Sequence, residues 1–65
     1  MKVYIERENR YLNLNLEKTD GKSLLEKLNI NPSAVILVKN DEVVLEDETF
    51  ENSDEIKILS VVSGG

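Results

Sequence analysis

The chain has 65 residues, no Cys, no His, and 13 acidic against 8 basic side chains, for a formal net charge of −5. So short a chain makes a single small domain, burying only about 60% of its unfolded surface, and its composition excludes disulfides, Cys or His zinc sites, thiol nucleophiles and every His-based triad. The acidity argues against direct nucleic-acid binding, which needs a basic face to displace phosphate counterions, and fits either solubility or docking on a basic protein surface.

No segment approaches the roughly 18 apolar residues of a membrane span, and the first residues lack a signal peptide's apolar stretch. The expectation is a soluble, cytoplasmic protein with no membrane contact, monomeric when free. Val3 and Ile5 alternate with Lys2, Tyr4 and Glu6, and Leu12, Leu14 and Leu16 alternate with Asn13 and Asn15. Period two means strands, so residues 1–16 read as a β-hairpin turned by Arg7-Glu8-Asn9-Arg10, with one apolar face. Asp20 then stands at a helix N-cap, with Ser23 three residues on and Leu24, Leu25 and Leu28 on one helical face. Asn29-Ile30-Asn31-Pro32 ends this helix, because Pro32 disfavours helical backbone before it and donates no hydrogen bond.

Ala34-Val35-Ile36-Leu37-Val38 is an apolar, β-branched run that predicts a strand. Asn40-Asp41 offers a two-residue hairpin turn and Val43-Val44-Leu45 a short return strand. Glu46-Asp47-Glu48 leads into a loop that Phe50 plugs into the core. After a turn at Asn52-Ser53-Asp54, residues 55–62 form the last strand, with Ile56 and Ile58 on one face and Lys57 and Leu59 on the other. The order ββαββ is an α+β layout, a sheet of four to five strands under one helix. Residues 1–62 form the domain and residues 63–65 a flexible Gly-Gly tail.

Chemistry is scarce in such a chain. The acidic triplet at 46–48 has the wrong spacing for an EF-hand and reads as a solvated loop. Ser60 and Ser63 have no base to activate them. Gly21, Gly64 and Gly65 are the only glycines, so no loop is built to cradle a phosphate and the chain itself binds no cofactor. What remains is the end of the chain. The carboxylate of Gly65 is uncrowded by side chains, and Gly64 can pass through channels too narrow for a residue with a Cβ. On the sheet face away from the helix, Leu59, with Ile36 or Val38 beside it on a neighbouring strand, makes a candidate docking patch. The alternative is that this face is also covered, or that the register is shifted by one residue.

The segment Ser23-Leu24-Leu25-Glu26-Lys27-Leu28, the run from Val35 to Val44, and Phe50 through Gly65 resemble the ThiS/MoaD family of ubiquitin-like sulfur carriers, over about residues 20–65. The family's ending, an acidic turn, an apolar strand and Gly-Gly, looks like Asn52-Ser53-Asp54-Glu55-Ile56-Lys57-Ile58 and then Val61-Val62-Ser63-Gly64-Gly65. Ser53 departs from the glycine common in that turn. The resemblance implies a β-grasp fold and a carrier that is not itself an enzyme. An E1-like partner would adenylate the Gly65 carboxylate with ATP, and sulfur from a donor protein would displace AMP to give a thiocarboxylate. That group would serve a downstream synthase or tRNA-thiolating enzyme in thiamin, molybdopterin or tRNA biosynthesis. Two other readings stand beside it. One is a ubiquitin-like modifier conjugated through Gly65 to substrate lysines; the other is a plain interaction module with an incidental tail.

Overall fold

Val3 and Ile5 on one strand and Ile56 and Ile58 on another bury the same face of a sheet, and the fold is assembled around that contact. The computed structural model describes residues 1–15 and 17–61. Within them lie β1 (Lys2–Ile5), β2 (Arg10–Asn13), β3 (Thr19–Asp20), α1 (Gly21–Lys27), β4 (Val35–Lys39), β5 (Glu42–Val44), β6 (Thr49–Phe50) and β7 (Glu55–Ser60). The main sheet has the order β2-β1-β7-β4-β5, with β1 and β7 parallel and every other pair antiparallel. Helix α1 packs Leu24 and Leu25 on the face that holds Val3, Ile5, Leu37, Ile56 and Ile58. One helix on a mixed five-stranded sheet is the ubiquitin-like β-grasp arrangement that the resemblance implies.

Local chemistry shapes each element. Asp20 caps α1 by accepting a 2.7 Å hydrogen bond from the Ser23 amide, and this bond is the main reason its carboxyl sits below the usual carboxylate range. The helix stops earlier than Pro32 requires. Asn29 takes a left-handed conformation (φ 62°), its amide bonds to the Glu26 carbonyl at 3.1 Å, and the Ile30 amide reaches back to Leu25 at 2.8 Å. That is a Schellman stop, sealed by two buried side chains, Leu25 and Ile30. Pro32 instead opens a single 3-10 turn, capped by Asn31 accepting from the Ser33 amide.

Asn40 and Asp41 both have positive φ, 50° and 70°, the signature of the type I′ hairpin turn expected there. The return strand closes at Val44, one residue short of the expected Leu45, because the Leu45 carbonyl accepts from Glu48 in the next turn. Phe50 is fully buried, and it belongs to a two-residue ladder, Thr19 opposite Phe50 and Asp20 opposite Thr49, that alternation alone does not announce. Strand β2 ends at Asn13, although Leu14 still exchanges bonds with Met1 in both directions. The last strand ends at Ser60, so Val61 lies past it, and Val62, the last residue of the expected strand, lies with Leu16 outside the described residues.

A polar knot closes one end of the sheet. Asp54 is 9% exposed; its carboxylate accepts from the Glu51 amide at 2.8 Å and the Asn40 side-chain amide at 2.9 Å. Asn40 in turn accepts from the Glu55 amide at 3.0 Å. These bonds, the Glu51 amide foremost, hold the Asp54 carboxyl below its ordinary range. Lys39 stands beside them, bonded to Glu48 at 3.1 Å and to the Thr49 carbonyl at 3.0 Å.

Two predictions follow from these packings. Gly21 lies where the 45–48 loop crosses the helix start, its amide bonded to the Glu48 carbonyl. A Cβ there would sit 2.7 Å from Leu37 Cδ1 and 2.9 Å from the Glu46 carbonyl oxygen. Gly21→Ala should cost roughly 1–3 kcal/mol by overpacking, read from the urea midpoint; wild-type stability would mean that the loop moves aside freely. Because the folded pKa of Asp54 is lowered, its stabilising contribution is complete above the unfolded value of about 3.9 and fades as pH falls through the lower folded value. Asp54→Asn should therefore lower stability at neutral pH and flatten the acid limb of the stability curve; an unchanged slope below pH about 4 would remove Asp54 from that role.

Candidate functional site: an open sheet face and the exit of the central strand

Among the described residues no helix covers the side of the sheet turned from α1, and register decides what that side shows. Ile36 of β4 stands directly opposite Leu59 of β7, and Val38 stands between Lys57 of β7 and Val43 of β5. All three candidate docking residues thus share the outer face; the alternation of β7 placed Leu59 there, and the β4 register adds both Ile36 and Val38. Their exposures differ. Ile36 is 41% exposed, Leu59 is half-buried and Val38 is only 9% exposed. The reason is flanking: β5 covers β4 only from Leu37 to Lys39, so Val38 is walled on both sides while Ile36 lies past the end of β5. Val38 therefore contributes little contact area, and the surface of the patch comes from Ile36 and Leu59.

Two tyrosines extend this face. Tyr4 of β1 pairs across to Tyr11 of β2 and to Lys57 of β7, with ring centroids 4.7 Å apart at an angle of 41°. Tyr11 is 71% exposed. The Tyr4 hydroxyl donates to Asn9 Oδ1 at 3.2 Å, and Lys57 reaches Asp41 at 3.6 Å. Period two places Tyr4 on the polar side of β1, and only the parallel register of β1 with β7 sets it in line with the docking patch.

The exit of β7 is fixed on both flanks. Strand β1 ends at Ile5, opposite Ile58, so the Ser60 amide has run past its backbone partner; the Glu6 carboxylate supplies one at 3.0 Å. On the other flank the Val61 amide donates to the Ala34 carbonyl at 3.0 Å. These two bonds aim the chain where it leaves the sheet, with Val61 exposed. No local signal marks Glu6 for this, since its partner is 54 residues away. Gly64 and Gly65, the residues read as threading and reactive, lie outside the described residues.

The acidic triplet at 46–48 is structural in part. The Glu46 carbonyl accepts from the Lys22 amide at 2.8 Å, and Glu48 pairs with Lys39. Among the described residues no cluster of acidic side chains could hold a metal ion. Nor is any described helix long and apolar enough to cross a membrane.

A profile of the ThiS family matches residues 4–65. Sulfur carrier protein TtuB of Thermus thermophilus is 42% identical over 45 residues, covering 68% of this chain and 68% of that protein. The family match begins within β1, takes in the helix and the whole of β7, and runs through Gly64 and Gly65. With a β-grasp fold and a match of that extent, the chain belongs to the ThiS family.

Proposed function

We propose that this protein is a sulfur carrier whose reactive group is the carboxylate of Gly65. The observation that carries the reading is the family match extending through residue 65, joined to the likeness to a sulfur carrier protein. The chain's own chemistry supports it. With neither Cys nor His, its side chains offer no group suited to carrying sulfur or activating a nucleophile at neutral pH. A carboxylate is itself a poor acyl donor and needs a partner. In the proposed cycle a Gly65 oxygen attacks the α-phosphorus of ATP held by an E1-like enzyme, and pyrophosphate leaves. A sulfur nucleophile from a donor protein then attacks the acyl carbon and AMP leaves. With the attacking atom the outer sulfur of a donor persulfide, the product is an acyl disulfide; a second thiol then attacks the donor's own sulfur, forms a disulfide with it and expels the Gly65 thiocarboxylate, which a downstream synthase or thiolating enzyme consumes. The carrier supplies shape and a terminus; the partner supplies nucleotide and pre-organised geometry.

Intact-mass measurement of the protein from its own cells tests the proposal. A fraction of molecules should gain the mass difference between sulfur and oxygen at the C terminus, and deletion of Gly65 should abolish this with the melting temperature unchanged. A terminus that carries only oxygen under sulfur sufficiency would sink the reading.

Docking of the activating enzyme is assigned to the outer face. Ile36→Glu and Leu59→Glu should each weaken binding to that enzyme about tenfold, roughly 1.4 kcal/mol, by titration calorimetry, with melting nearly unaltered. A large fall in melting temperature would make these residues core, and unchanged affinity would move the interface elsewhere.

A further inference from the structure

Strand β5 is an outer edge of the main sheet, and among the described residues no strand pairs with its free side. Val43 and Leu45 are 73% and 75% exposed, the two most exposed large apolar residues described. Beside them lies a cleft of about 450 Å³, lined from the β4 side by Pro32, Val35 and Ile36 and from the β5 side by Val44, Leu45 and Glu46. It exists because β5 is short: β4 begins at Val35 but its pairing with β5 begins at Leu37. In a hairpin closed by a type I′ turn, the pair flanking the turn, Lys39 and Glu42, exchanges both backbone bonds, and bonded pairs then alternate. Val43 is consequently the residue whose amide and carbonyl point away from β4, toward the open edge.

Charge selects what can add there. Eight of the chain's 13 acidic residues fall within positions 41–55, a stretch with no Lys or Arg. Lys39 and Lys57 engage Glu48, Asp54 and Asp41. Glu42 and Glu46, which flank the exposed apolar pair, form no ion pair among the described residues. A second β5 laid against this one would bring these carboxylates together, and like charges across strands are destabilising.

We propose that the β5 edge and its cleft form a docking site for an extended segment of a partner protein in which apolar residues alternate with Lys or Arg. The segment adds as a strand to the outward backbone groups of Val43, its apolar side chains pack on Val43 and Leu45 and into the cleft, and its cationic side chains meet Glu42 and Glu46. Backbone bonds give such strand addition its affinity, and the alternate side chains give it specificity. The site is separate from the chemistry of Gly65 and does not depend on the sulfur-carrier reading.

The test is an amide NMR titration of the intact protein with the peptide acetyl-Lys-Val-Lys-Leu-Lys-Val-Lys-amide, beside its counterpart with Glu in place of Lys. The expected result is saturable shifts confined to Val43–Asp47 and Ala34–Leu37, weakening at least several-fold as salt is raised and absent with the Glu peptide. Leu45→Glu and Glu46→Lys, both at exposed positions, should each reduce affinity about tenfold while the rest of the spectrum stays native. Several results would overturn the proposal: no shifts, equal binding of the Glu peptide, or shifts centred on Tyr4, Tyr11 and Leu59. Concentration-dependent shifts at Val43 without peptide would also overturn it, making a second copy of the chain the occupant.

Discussion

The pairing of β7 with β1 on one side and β4 on the other is the interaction on which the rest of the structure rests. Ile56 and Ile58 are almost wholly buried, and each lies opposite a core residue of a neighbouring strand, Val3 and Ile5 on β1 and Leu37 on β4. A slip of one residue would exchange Ile56 and Ile58 for Lys57 and Leu59 under the helix. Register in β7 therefore sets the core and the composition of the opposite face together. The surface read as a docking site is the other half of the alternation that builds the interior.

This coupling suits a small domain with little stability to spare. Among the described residues the one buried carboxylate, that of Asp54, is engaged by the Glu51 amide and Asn40. Those bonds do structural work: Asn40 extends the ladder past the end of β4 by bonding Glu55 through both its backbone and its side chain.

What could be read from the sequence was what local chemistry decides. Asp20 with Ser23, the Asn40-Asp41 turn and the alternation at 55–59 each involve residues within a few positions of one another, and each appears where expected. Features decided at a distance were not legible. The β3–β6 ladder joins Thr19 to Phe50, Glu6 completes β7 from the far end of the chain, and Gly21 looks unremarkable until the loop at Glu46 crosses it. The stop of α1 is a different case. Asn29 was visible, but Pro32 is the louder signal, and the Schellman geometry depends on Leu25 and Ile30 both reaching the core. The candidate site divides in the same way: alternation put Leu59 on the outer face, whereas the covering of Val38 and the alignment of the tyrosines required the strand order.

The parallel neighbours β1 and β7 also bear on how the molecule meets force. A load applied to the chain at Val61 pulls along β7, parallel to the strands that hold it. Under such a load the bonds to β1 and β4, with those from Glu6 and Ala34 at the exit, are strained together in shear and do not open one at a time as in a peeled hairpin.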